Sequence, residues 1–300
     1  MSGSFRFRLL STLLLIVTLG AHGKEIRTSL KKALADKKVS LFGQSNGGYC
    51  NKGLTLELTN NSPNTMIITV LPGMLFRPED SGIRCQPLIL LGDEVITLNT
   101  KEKKSIVLQT FCGDSHASCP YKGIKYVFAR QLDTTLVNVL RYAKANSLDP
   151  HLIQYAVWTF TNNHPLRTVY AHYIPTVSEN FVKYIAGIRK MKVPHYFVEH
   201  TLASNANHPV IRHGQERAYV NMSWKANEGY RNVYVTVYKE GGERYKQVEN
   251  NIISDKYGSV VVVELNLVRD KSGTYIVRLH DDANNILQEK TITLEPDTSF

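Results

Sequence analysis

Apolar residues fall at every second position over two long stretches of this chain, and a period of two restricts those stretches to β-sheet. In the first, Leu54, Leu56 and Leu58 alternate with polar residues, and Asn60-Asn61-Ser62-Pro63-Asn64 supplies a turn. Met66 to Val70 runs to Pro72-Gly73, and Leu88 to Leu91 runs to Gly92-Asp93-Glu94, with Val95 to Leu98 beyond. Lys101-Glu102-Lys103-Lys104 makes a further turn before Ile106 to Phe111. Short strands at this spacing predict an antiparallel sandwich or small barrel. In the second stretch Val220, Met222 and Trp224 point one way, Val233 to Tyr238 ends at Gly241-Gly242, and Val260 to Leu267 is strongly β-forming. Gly273 to His280 is expected to pair with Ile286 to Leu294 across residues 281–285, giving an immunoglobulin-like sandwich.

Between the two stretches the period changes to that of a helix. Asp133 can cap a segment carrying Leu136, Val139, Leu140 and Ala143 on one face. Asp149-Pro150 is a capped start with proline at the first helical position, opening a helix with Leu152, Ile153, Ala156, Val157 and Phe160 on a broad apolar face. Gln154 and Trp158 sit one turn apart on its flank, where their side chains should touch. Ser178 can cap a third helix carrying Phe181, Tyr184, Ile185 and Ile188. The expected fold class is therefore mainly β with a helical subdomain.

The first residues set the compartment. Arg6 and Arg8 precede an apolar run from Leu9 to Leu19, followed by Ala21-His22-Gly23. Basic start, short apolar middle and small-x-small end form a secretory signal peptide, too short to span a bilayer, which needs about 20 residues. The domains expected are a signal peptide (1–23), a basic N-terminal helix (24–40), a β domain with a helical insert (41–195), a linker (196–207) and an immunoglobulin-like sandwich (208–300). A secreted, periplasmic or cell-surface chain follows, without a transmembrane segment after cleavage.

Charge then narrows the partners. Lys and Arg exceed Asp and Glu by 36 to 26, a formal +10. Residues 24–38, which lack interleaved aromatics, supply +4, half of the +8 that is left beyond residue 23, while the C-terminal module is near neutral. Nucleic acid is not an expected partner. An unknown protein or a cell-envelope ligand is.

Export also changes what Cys50, Cys85, Cys112 and Cys119 mean, because an even count in an oxidising space suggests disulfides. Cys112 and Cys119 are seven positions apart, and a bridge closing so small a loop contributes about 2–3 kcal/mol by chain-entropy reasoning. Cys50 with Cys85 is the natural second pair. No C-x2-C pair or finger-spaced histidine points to zinc. His195-Tyr-Phe-Val-Glu-His200 has neither zinc-protease spacing, and no phosphate-cradling glycine loop occurs, so neither metal nor cofactor is expected.

Two motifs carry a resemblance. Thr110-Phe111-Cys112 closes the first β-region, and Leu152-Ile153-Gln154-Tyr155-Ala156-Val157-Trp158 lies in the capped helix about forty residues later. Together they resemble the thioester domain of bacterial surface adhesins, over residues 50–165. The resemblance implies a thiol partner at Cys112, an acyl partner at Gln154 and an aromatic cover at Trp158. It implies a thioester formed with release of ammonia and able to acylate an amine. Ile153 stands where that family often has threonine, and Cys119 offers Cys112 a competing disulfide. Residues 271–282, Lys-Ser-Gly-Thr-Tyr-Ile-Val-Arg-Leu-His-Asp-Asp, are similar to the terminal strand of β-sandwich modules in secreted Bacteroidota proteins, including type IX sorting domains. The closing basic residues of a sorting signal are missing.

The function expected is that of an exported, non-catalytic binding or adhesion protein with either a Cys112–Gln154 thioester or a Cys112–Cys119 disulfide. The alternatives are an exported cysteine hydrolase using Cys112 with His116 or His151, and a structural accessory of the envelope with no reactive group.

Overall fold

The computed structural model describes residues 24–48, 50–205, 208–224, 231–254, 260–266 and 272–294. The expected signal peptide, Leu267, Lys271 and the closing residues 295–300 lie outside them. Among the described residues the molecule is mainly β, with four α-helices.

The first β-region closes into a six-stranded barrel. Its strands, in order around the barrel, are β2 (Val39–Ser45), β3 (Cys50–Asn60), β8 (Lys103–Cys112), β6 (Leu88–Leu90), β5 (Met74–Pro78) and β9 (Lys125–Gln131), which returns to β2. Every pairing in the barrel is antiparallel. The alternation of Leu54, Leu56 and Leu58 places all three fully inside. Closure depends on Gly43, which pairs with Tyr126; a Cβ there would fall 2.6 Å from the Tyr126 carbonyl oxygen. A three-stranded sheet lies beside the barrel, with β4 (Met66–Val70) between β1 (Ile26–Ser29), parallel to it, and β7 (Glu94–Leu98), antiparallel.

The expected helix over 24–40 is corrected to two elements. Residues 26–29 form β1, because Ile26 to Ser29 extend along Met66 to Thr69, and Ser29 caps a shorter helix α1 (Leu30–Ala35) by accepting from Lys32 N. Helices α2 (Thr134–Ala145) and α3 (Pro150–Thr161) start at the expected aspartates. Asp133 accepts from Thr135 N and Leu136 N, and Asp149 from His151 N and Leu152 N. Helix α4 (Pro175–Arg189) starts three residues before the expected cap. Pro175 opens it, and the Ser178 hydroxyl instead bonds to Ala171 and Ile174.

The expected linker, 196–207, is corrected most. Residues Tyr196–Asn205 form strand β10, which pairs along β11 (His208–Ser223), itself beside β14 (Val260–Asn266). A second sheet has the order β13 (Arg244–Ser254), β12 (Arg231–Lys239), β15 (Gly273–Asp281), β16 (Ile286–Leu294). The two share one apolar core, with Val198, Val220 and Met222 from one sheet meeting Val235, Val277 and Ile292 from the other. Such a three-plus-four arrangement is a β-sandwich. Phe197 and Tyr219 face away from that core and join the first domain's core instead, with Phe197 stacked on Tyr170 at 4.5 Å.

Candidate functional site

Cys112 ends β8 opposite Leu88 of β6. On the other side of β8, β3 begins at Cys50 opposite Phe111, one residue short of Cys112. The Gln154 carboxamide takes the place of the next strand residue. Its Oε1 accepts from the Cys112 backbone N–H at 2.8 Å, and its Nε2 donates to the Cys112 carbonyl oxygen at 2.8 Å. Cys112, Gln154 and Trp158 are all fully buried. Helix α3 is apolar nearly all round, which is why its polar member must find partners inside the protein. The Trp158 ring meets Tyr155 edge-on at 5.7 Å and lies tilted against His164 at 5.8 Å.

The end of α3 grips the loop that follows Cys112. Ser115 N donates to Asn162 Oδ1 at 3.2 Å, Asn162 Nδ2 donates to Asp114 Oδ1 at 3.1 Å, and the Ser115 hydroxyl and His164 Nε2 are 2.8 Å apart. The Gly113 N–H donates to Pro87 O, and a Cβ at Gly113 would lie 2.9 Å from Ile89 Cδ1. The sequence reading missed Asp114, Ser115, Asn162 and His164 as one network; the Asn162-Asn163 pair ending α3, with Asn163 in the left-handed region at φ 56°, was the available signal. Beside this loop a cleft of about 860 Å³ is lined by Gly113, Asp114, His116, Arg130, Asp133 and Asn162.

All four cysteines are free thiols, and the expected bridges Cys112–Cys119 and Cys50–Cys85 are not formed. The barrel topology nevertheless gathers the four at one end. Cys50 enters β3 next to the end of β8, Cys85 bridges to Ser118, and the Cys85 sulfur lies 3.8 Å from the Cys119 carbonyl oxygen. The Cys112 and Cys119 thiols are close enough for each to shift the titration of the other. Cys50 is within electrostatic reach of both Cys119 and Cys112.

Burial, reinforced by the adjacent Cys119 thiol, pushes the Cys112 thiol well above its ordinary value. The Cys119 thiol shifts the other way, because the adjacent Cys112 thiol favours its charged form more than burial opposes it. Burial, with the nearby Asp149 and Cys119 charges, raises Cys50 to about 11. Tyr126, whose hydroxyl donates to Gln86 O at 2.7 Å, is raised by burial and by Cys85, Cys112 and Cys119 beside it.

Other sequence candidates serve the fold. His195 Nε2 lies 2.8 Å from Thr291 O, and Glu199 faces His172 at 2.8 Å while accepting from Tyr219. Among the described residues no group of three or more His, Cys, Asp or Glu side chains is arranged to hold a metal, and no helix is long and apolar enough to cross a membrane. Comparison with protein-family models and with curated proteins found no match to this chain.

Proposed function

We propose that the chain is an exported binding or adhesion protein of the cell surface or extracellular space, in which Cys112 and Gln154 join as an internal thioester that captures an amine on its ligand. The observation that carries this reading is the pair of 2.8 Å hydrogen bonds between the Gln154 carboxamide and the Cys112 backbone, at residues with no exposed surface. The Cys112 N–H sits on the oxygen that gains negative charge when a sulfur adds to the carboxamide carbon, and so acts as an oxyanion donor.

The chemistry balances without an oxidant. The Cys112 sulfur adds to the Gln154 carbonyl carbon, the C–N bond breaks, and ammonia leaves with the thiol proton. A primary amine then adds to the same carbon and expels the Cys112 thiol, leaving a secondary amide at Gln154. Water would hydrolyse the intermediate, and the buried Trp158 and the loop pinned by Asn162 and Pro87 support its exclusion.

The same hydrogen bonds favour a second reading, in which the carboxamide is a permanent clamp on the end of β8 and the protein is a structural accessory of the envelope. A fluorescent primary amine separates the two. The mature chain is expected to take up one label, on the peptide containing Gln154, and Cys112→Ala or Gln154→Ala is expected to take up none. An unlabelled wild type would support the clamp and overturn the thioester.

A further inference from the structure

The cleft beside the Cys112 loop is lined by charges that the fold leaves unpaired. Asp114 and His116 come from the loop after β8, Arg130 from β9, and Asp133 from the start of α2. Asp114 engages only its Oδ1, which accepts from His116 N at 2.9 Å and from Asn162 Nδ2 at 3.1 Å. Asp133 also engages only its Oδ1, which accepts from Thr135 N and Leu136 N. Among the described residues the second oxygen of each carboxylate has no hydrogen-bond partner, and neither carboxylate pairs with Arg130. Apolar side chains, including Leu75, Leu136 and Phe160, make up much of the remaining lining. Opposite charges that share a cleft without pairing leave both signs available to a ligand.

We propose that this cleft docks a lysine of a protein ligand together with an acidic residue beside it, and presents the lysine amine to the Cys112–Gln154 pair. Capture, though not docking, rests on the thioester reading. The lysine stem lies on Leu75, Leu136 and Phe160, its ammonium meets Asp114, and the acidic neighbour meets Arg130. Asp133 adds negative charge to the same lining. At about 860 Å³ the cleft is larger than one side chain, which leaves room for the neighbour. Two links tie it to the reacting pair. Gly113, itself in the lining, is the one residue between Asp114 and Cys112, so the two Cα atoms lie within about 7 Å of each other. Asn162, also in the lining, ends the helix that carries Gln154. A docked lysine is therefore held near the acyl carbon, which raises its effective concentration there. On capture the lysine nitrogen bonds to the Gln154 carbonyl carbon and the carbon–sulfur bond breaks. Of the three ammonium protons, one stays on the amide nitrogen, one goes to the Cys112 sulfur and one to solvent.

The test reads docking first, on the full mature chain treated beforehand with methylamine so that nothing further is captured. The probes are acetyl-Lys-Asp-amide and two analogues, one with norleucine for the lysine and one with alanine for the aspartate. Wild type is expected to bind the lysyl-aspartyl peptide at least about tenfold more tightly than the norleucine analogue. Asp114→Asn keeps the Oδ1 acceptor that Asn162 and His116 use but removes the charge, and is expected to weaken that binding about tenfold. Arg130→Ala, at an exposed position, is expected to bind the lysyl-aspartyl and lysyl-alanyl peptides alike. Equal binding of the norleucine analogue, or unchanged binding in Asp114→Asn, would overturn the proposal. The untreated chain is then given the same peptides, and capture on Gln154 is expected to be fastest with the lysyl-aspartyl one. Docking with no covalent uptake of any amine would sink the thioester and leave the cleft standing. Methylamine uptake on Gln154 with no docking of the lysyl peptides would sink the cleft alone.

Discussion

A glutamine buried in an apolar helix has two donors and an acceptor to satisfy, and Gln154 meets this need on a neighbouring backbone rather than on another side chain. Removing it strands both polar groups of Cys112, so Gln154→Ala should cost about 2–4 kcal/mol, measurable by denaturant unfolding. Gln154→Glu keeps the acceptor but sets a buried carboxylate oxygen against the Cys112 carbonyl, so it should cost at least as much. The thiols make a pH prediction of definite sign. Cys50 is raised from 9.0 to about 11, so its neutral form is favoured in the folded state. Its contribution is fully present below pH 9 and is lost as the pH rises through about 11. The unfolding midpoint should fall across that window, and fall less steeply in Cys50→Ala. At this scale the sequence exposed Cys112, Gln154 and Trp158, because residue type and helical spacing carry the motif. It did not expose the Ser115–His164 contact or the gathering of the four cysteines at one end of the barrel, since both arise only when separate strands and loops meet.

Elements were legible where one face is buried and the other wet. Residues 66–70 alternate cleanly and form β4, and Asp133 and Asp149 cap helices where expected. Strand β9 is harder to read: Lys125 to Gln131 bury Tyr126 but leave much of the strand exposed. Strand β10 reads as a linker in the sequence because Tyr196 and Val198 fill one core while Phe197 fills the other, and a strand buried on both faces loses its alternation. Glycine substitutions test the barrel seam. Gly43→Ala should destabilise by about 1–3 kcal/mol through overpacking, because backbone rather than a flexible side chain opposes the new methyl group. Gly187→Ala, in α4 with nothing within 4 Å, should stabilise by about 0.5–1 kcal/mol. Asp149→Ala should cost about 1 kcal/mol as a lost cap and, because α3 carries Gln154, also slow amine capture.

The whole molecule joins a barrel with helices to a sandwich through an aromatic seam. Tyr170 stacks on Phe197 and also meets Tyr219, while Glu199 binds the backbone and ring of His172 and the Tyr219 hydroxyl. Phe197→Ala should cost about 3–5 kcal/mol, and calorimetry should then resolve two transitions where the wild type shows one. The reading as a covalent adhesion protein rests on the barrel end, where β8, β6 and α3 bring Cys112 and Gln154 together in a site closed to water. The most direct test is the mass of the untreated mature chain and of its digest. The thioester predicts a chain one ammonia lighter than its sequence, with the Cys112 and Gln154 peptides joined. A chain of full mass, with the two peptides separate and Gln154 an intact amide, would contradict it.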